Sequence, residues 1–219
     1  MKFIGILVIL FLALGAIWYS AQSLPTWFDE EKTKEQQAVE ALSQKINEQG
    51  VEAFLGDKTL DLVRGEIMFN ETEFNALLLA SLRLHEDGQK LLQLSDGLHA
   101  TLHQDEVEIA AVFNLDKIEQ TNPQARKTIE RFDKLFFFLD DSRLAVSVYG
   151  TPVIRNGSIG IKDDFHIKVG AIPVSNTTLR HFGVEVERAN TTQLALRLLT
   201  LSSVTLEEGK ISFAARPRI

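Results

Sequence analysis

The stretch Leu98-His-Ala-Thr-Leu-His-Gln-Asp-Glu-Val-Glu-Ile-Ala-Ala-Val-Phe-Asn-Leu115 decides the fold. Leu98, Ala100 and Leu102 alternate with His99, Thr101 and His103. Gln104-Asp105 turns the chain, and Val107, Ile109, Ala111, Phe113 and Leu115 continue on alternate positions. A period of two with one apolar face predicts an antiparallel hairpin, because successive strand side chains point to opposite faces. Such a sheet keeps one face polar and must have the other covered.

Helical spacing flanks the hairpin on both sides. Asn70-Glu-Thr-Glu73 offers a start, with Asn70 as cap and Glu73 three residues on to close a capping box. The helix from Glu71 to about Leu84 then carries Phe74, Leu77, Leu78, Leu79 and Leu82, apolar over much of its circumference. Asp29–Gln49 reads as a polar helix with Val39, Leu42 and Ile46 as a narrow stripe, stopped by Gly50. Leu60–Phe69 reads as a strand broken at Gly65. Asp116–Asp140 returns to helical spacing, with Ile129, Phe132, Phe136 and Leu139 on one face.

A second hairpin follows. Leu144, Val146 and Val148 run up to Thr151-Pro152, Asn156-Gly157 is a strong turn signal, and Ile159, Ile161, Phe165, Ile167 and Val169 return. Ser175–Phe182 is a short capped helix. Further strands are expected at Gln193–Leu201, Ser203–Leu206 and Lys210–Ala215. The expected fold class is α+β: a twisted antiparallel sheet of about six to eight strands covered by three or four helices, behind an N-terminal transmembrane helix.

That leading segment, Phe3 to Ala21, has no charge, and between Lys2 and Asp29 none appears at all. A run of roughly 18–20 uncharged residues is long enough to span the hydrocarbon core. Trp18, Tyr19 and Trp27 fall where interfacial aromatics belong. Lys2 on one side and acids on the other place the N-terminus in the cytoplasm. The competing reading is a cleaved signal peptide, with Ala21-Gln22-Ser23 as its small-residue site, but this apolar region is longer than the usual ~7–15 residues. Residues 1–28 are thus expected to anchor an exported domain at 29–219 in a bacterial cytoplasmic membrane, as a single-pass protein with a periplasmic domain.

The mean hydropathy of −0.00 is the sum of these unlike parts. The chain has 219 residues and net charge −7; without Lys2, 22 basic and 30 acidic side chains remain, a balance of −8. An acidic domain of this kind is a poor partner for nucleic acid, where cations must displace counterions from phosphates. The absence of cysteine removes disulfides, thiolate nucleophiles and thiolate metal sites.

Catalytic patterns are not found. His99 and His103, four apart on a strand, would stand about 13 Å from one another at the ~3.3 Å rise, too far to share a metal. The acid pairs Asp140-Asp141, Asp163-Asp164 and Glu207-Glu208 read as solubilising charge. The chain contains no Gly-x-Ser-x-Gly elbow, Gly-rich phosphate loop or His-Glu-x-x-His. No catalytic residue, metal ligand or cofactor is expected. The run Phe136-Phe137-Phe138 is unusual, since one helix cannot bury all three rings against one flat sheet. Residues expected to line an apolar ligand site are Phe74, Leu77, Leu78, Phe132, Phe136, Phe137, Phe138 and Phe165.

Two stretches carry a resemblance: Val146-Ser-Val-Tyr-Gly-Thr-Pro-Val-Ile-Arg-Asn-Gly-Ser-Ile-Gly-Ile161, and Val169-Gly-Ala-Ile-Pro-Val-Ser175. With Thr72-Glu-Phe-Asn-Ala-Leu-Leu78 upstream, they resemble the YpmS-like family of bacterial membrane-anchored proteins. That family's design is in turn similar to tubular lipid-binding and AsmA-like envelope proteins, which implies lipid handling and supplies no catalytic residues. The expected function is a non-enzymatic envelope protein that binds or transfers a lipid or other apolar ligand, with the bilayer, an acyl chain and an envelope protein as partners. The alternative is a scaffold module that docks a partner through a sheet edge or the Asp29–Gln49 helix. An enzyme, such as a hydrolase, is a third reading.

Overall fold

The structure is a computed structural model and describes residues 24–29, 34–56, 58, 61, 64–121, 143–155, 158–162, 164–174 and 199–217. Six helices and ten strands are defined there. The helices are α1 (Thr26–Asp29), α2 (Lys34–Gln49), α3 (Val51–Gly56), α4 (Glu71–Leu84), α5 (Glu86–Leu94) and α6 (Leu115–Thr121). The strands are β1 (Glu66–Asn70), β2 (Ser95–Leu102), β3 (Val107–Asn114), β4 (Arg143–Gly150), β5 (Pro152–Arg155), β6 (Ser158–Ile161), β7 (His166–Val169), β8 (Ile172–Val174), β9 (Leu199–Glu207) and β10 (Lys210–Pro217).

The α+β class and the antiparallel pairing are as expected, but the single sheet of six to eight strands is corrected. The strands form three sheets, ordered β1-β10-β9, β2-β3-β4-β7-β8 and β5-β6. Two local features divide them. Thr151 alone separates β4 from β5 in the long second hairpin. The hairpin continues as β5 against β6, joined to the main ladder by the Lys162 N–H donating to Thr151 O at 2.9 Å. At the other end β1 pairs with β10, Glu66 opposite Ala214, and so closes a separate sheet from the two ends of the domain. The expected break between Leu201 and Ser203 is a bulge inside one continuous strand, β9, where the register shifts opposite Ala214/Ala215.

Helix α4 begins as its sequence dictates. The Asn70 side chain accepts from Glu73 N at 2.9 Å and Glu73 Oε2 accepts from Asn70 N at 3.0 Å, a complete capping box. The expected Asp29–Gln49 helix is present from Lys34, with Ile46 buried in the core. Helix α5 lies where no element was expected. It turns sharply off α4, and Gly88 permits the turn because a Cβ there would meet the Leu82 backbone, 2.7 Å from its Cα.

The core gathers sheet β1-β10-β9, one face of α4 and the inner face of β2. Phe69, Phe213, Ile67, Leu102 and Ile211 are almost completely buried. Each such side chain contributes roughly 1.5–3 kcal/mol over an exposed position. The two larger sheets meet at the β9–β10 turn: Gly209, at φ +70°, donates to Leu102 O at 2.8 Å and accepts from Glu71 N at 3.1 Å. Among the described residues no helix is long and apolar enough to cross a membrane, and the expected span at 3–21 lies outside them. Of the expected Asp116–Asp140 helix only the start is described, as α6, and residues 122–140, like the expected Ser175–Phe182 helix, lie outside the described residues.

Candidate functional site

Helix α4 has two working faces. Phe74, Ala76, Leu77, Leu78 and Ala80 are buried in the core. Glu71, Asn75, Leu79 and Arg83 recur every fourth residue, a spacing that stacks side chains along one helix face. That second face forms one wall of a groove of about 1110 Å³. Leu79 is only half-buried, in contrast to its buried neighbours from Phe74 to Ala80.

The floor and far wall come from β2, α1 and the start of β4. Trp27 stacks on His99, ring centroids 5.3 Å apart. Phe28 meets the Trp27 ring edge-on at 5.9 Å and lies under the Arg143 guanidinium at 5.5 Å. Both rings close over Gly97, where a Cβ would stand 3.1 Å from Trp27 and 3.3 Å from Phe28. Glycine is needed here for the close approach. Val39 and Glu40 of α2, Leu92 of α5, and Leu98 of β2 also line the groove.

Charges in the groove are internally matched. Arg83 donates to Glu40 Oε1 at 2.6 Å and to the buried Ser43 hydroxyl at 3.0 Å, which ties α4 to α2. Asp96 sits at the β2 bulge, where the register shifts between Ser95 and Gly97, and accepts from Lys117 Nζ at 2.8 Å, Arg143 Nε at 3.0 Å and Asn114 Nδ2 at 3.3 Å. The Lys117 bond, supported by Arg143 and Asn114, holds its carboxyl below the ordinary range against the opposing effect of burial. Glu71 is likewise held low, chiefly by His99 at 3.5 Å and then by the Leu102 N–H at 2.9 Å, while burial pushes the other way.

A second polar band crosses the same sheet. Glu108 accepts from the Tyr149 hydroxyl at 2.6 Å and faces His103 Nε2 at 3.4 Å. His166 stacks on Tyr149 at 4.7 Å, with Lys168 Nζ 4.1 Å from the ring. Burial first, then the Glu108 carboxylate, pushes the Tyr149 phenol up. These are cross-strand neighbours, Glu108 opposite Tyr149 and Tyr149 opposite His166, so the band stabilises sheet pairing. His99 and His103 engage different carboxylates, and among the described residues no group of three His, Asp or Glu is placed to hold a metal.

Of the residues expected at a ligand site, Phe74, Leu77 and Leu78 are core residues and do not face this groove. Phe165 is half-buried beside Gly150, away from it. Phe132, Phe136, Phe137 and Phe138 lie outside the described residues, as do Trp18 and Tyr19. Trp27, expected at a membrane interface, has one ring face against His99. The groove residues that periodicity did not single out are Asn75, Arg83, Asp96 and Arg143. The four-residue stripe on α4 was a visible signal for the first two. The Asp96–Arg143 pair joins positions 47 apart and has no local signature.

The fold and groove define an α+β domain with an amphipathic cleft at the edge of an antiparallel sheet. No family model matches the chain, and no curated protein matches it.

Proposed function

We propose that this chain is a membrane-anchored, non-catalytic envelope protein, of the YpmS-like kind, whose exported domain binds or transfers a lipid or similar apolar ligand in the α4–β2 groove. The observation that carries the reading is Leu79. It stands half-buried between the buried Leu78 and Ala80, and faces a groove of about 1110 Å³ together with Val39, Leu92 and Leu98. Half-covered apolar side chains converging on one cleft are what an acyl chain would cover. The charged residues along the same cleft suit a polar headgroup. The anchor and the periplasmic address come from the Phe3–Ala21 stretch and the residues flanking it.

The scaffold alternative has less support. The edge of β2 is taken by Asn75 and Glu71, and the Met68 carbonyl on β1 by Lys58 at 2.7 Å, itself paired with Glu73. Edges blocked in this way do not offer a free ladder to a partner strand. The outward positions of α2, such as Gln37, Glu40, Gln44 and Lys45, are exposed and polar.

Native mass spectrometry of the protein released from its membrane tests the reading. Retained phospholipid or fatty acid is expected, and it should be lost when Leu79 is replaced by a polar residue. A protein that retains no lipid and takes up no added oleate would overturn the proposal.

A further inference from the structure

The first described residues of the chain are also the groove's rim. Pro25 O accepts from Phe28 N at 2.9 Å, and the next contacts made by this segment are Trp27 on His99 and Phe28 over Gly97. Gln36 Nε2 of α2 adds a bond to Trp27 O at 3.0 Å. The chain is therefore fixed to the sheet at Trp27, only a few residues after the membrane-length apolar stretch Phe3–Ala21.

Covalent geometry turns this into a distance. The residues from Ala21 to Trp27 can span at most ~21 Å even when fully extended, at ~3.5 Å each. The headgroup layer itself occupies ~5–8 Å of that beyond the hydrocarbon. With Phe3–Ala21 in the bilayer, the rim of the groove cannot leave the immediate neighbourhood of the leaflet surface. Charge does not hold it there: the part of the chain after Lys2 carries net −8, which an anionic leaflet repels. The short covalent connection does, by keeping the local concentration of lipid at the groove high.

We infer that the groove takes its occupant directly from the leaflet in which the chain is anchored: a phospholipid that places an acyl chain along Val39, Leu79, Leu92 and Leu98, with its headgroup toward the Trp27–Phe28 rim. This rests on the lipid reading above and adds to it a source and a direction of entry. A ligand collected from the aqueous compartment would not need the rim to be tied so close to the span.

The test uses the full chain in phosphatidylcholine vesicles, with the photoreactive residue p-benzoylphenylalanine at position 79 and, separately, at position 92. Position 84, where Leu84 is 63% exposed, serves as the control. Circular dichroism confirms that each variant is folded. A second set carries a 20-residue proline-rich insert between Ser23 and Leu24, which at ~3.1 Å per residue lifts the domain tens of ångströms away. Lipid adducts are expected at 79 and 92 and not at 84, and the insert should reduce them at least tenfold. Adducts that survive the insert, or adducts equally strong at 84, would overturn direct uptake while leaving lipid binding in place. The same holds if vesicles give no adduct but oleate added in solution does. Absence of adduct with both vesicles and oleate would remove the lipid reading as well.

Discussion

The Asn75 carboxamide pairs with both backbone groups of Ala100, as a neighbouring strand would, while its Nδ2 also donates to Glu71 O at 3.0 Å. Its Nδ2 donates to Ala100 O at 2.7 Å and its Oδ1 accepts from Ala100 N at 2.6 Å. Ala100 is fully buried on the edge strand β2, so both backbone groups lack water. One side chain thereby closes a sheet edge and fixes α4, with its groove stripe, beside that edge. Glu71, one turn earlier, does the same for Leu102 N at 2.9 Å.

Replacing Asn75 by alanine should therefore act as a structural lesion. Two buried backbone groups would lose their partner, at roughly 1–3 kcal/mol each when left unsatisfied. Urea denaturation of N75A is expected to show a loss on the order of 3 kcal/mol. A change below about 0.5 kcal/mol, the usual range for an unremarkable surface substitution, would mean that water reaches Ala100 and that the pairing does not hold the edge.

The Trp27–Phe28 rim can be displaced without disturbing the core. At Gly97 even a Cβ would stand 3.1 Å from Trp27 Cζ3, so the branched side chain of Gly97→Val has to push both rings off the sheet. Trp18 is the only other tryptophan, so a W18F background leaves Trp27 as sole reporter. In that background G97V should shift the tryptophan emission to the red and lower lipid retention, with the core-packed α4 still helical. An unshifted spectrum would show that the rings do not cover this position in solution.

Acid should loosen the same region. Glu71 and Asp96 both have carboxyls held below their ordinary values of 4.5 and 3.8. A group depressed in this way contributes stability that is present above its ordinary value and lost as pH falls through the folded one. Thermal unfolding should therefore be level above about pH 5 and fall progressively below about pH 4.5. Glu71→Gln is expected to lower stability at neutral pH and flatten the acid limb. An acid limb of unchanged slope in E71Q would exclude Glu71 as a source of it.

Much of this domain was readable where the signal is local. The hairpin β2–β3, helix α4 and its capping box follow from spacings of two, three and four residues, and each is present. Helix α5 was hidden because it is only nine residues long and has a glycine in its first turn, which reads as a break, although Leu91, Leu92 and Leu94 do carry a helical stripe. Ala110 and Val112, on the face expected to be polar, are 1% and 0% exposed, so β3, an interior strand, is covered on both faces at these positions. The division into sheets depends on β1 meeting β10, whose paired residues such as Glu66 and Ala214 are far apart in sequence. The groove depends on a bulge at Asp96, a glycine under two rings and a helix stripe. None of these reports its partner in sequence. Phe74, Leu77 and Leu78, expected at a ligand site, share the i, i+3, i+4 face that packs into the core, whereas Leu79, rotated about 100° from Leu78, faces the cleft.

That division makes α4 its own control. Leu77 is 5% exposed in the core, so Leu77→Ala removes packed methyl groups and should cost roughly 2–5 kcal/mol. Leu77 is not one of the residues that line the groove, so lipid affinity per folded molecule should stay unchanged. Leu79 is half-buried on the groove wall, and Leu79→Gln keeps the side-chain length while making it polar. Its stability cost should be the smaller of the two, below about 1.5 kcal/mol, because the side chain is only partly packed against protein. Its effect on lipid is expected to be the larger one: losing roughly 1.4 kcal/mol of apolar contact is about tenfold in affinity. Urea denaturation and oleate titration on both variants separate the two faces. If L77A weakens binding as much as L79Q, the ligand reaches the core and the groove assignment fails. If L79Q binds as well as the parent chain, the acyl chain does not lie along this stripe, because no other residue of α4 offers a half-covered apolar side chain to the cleft.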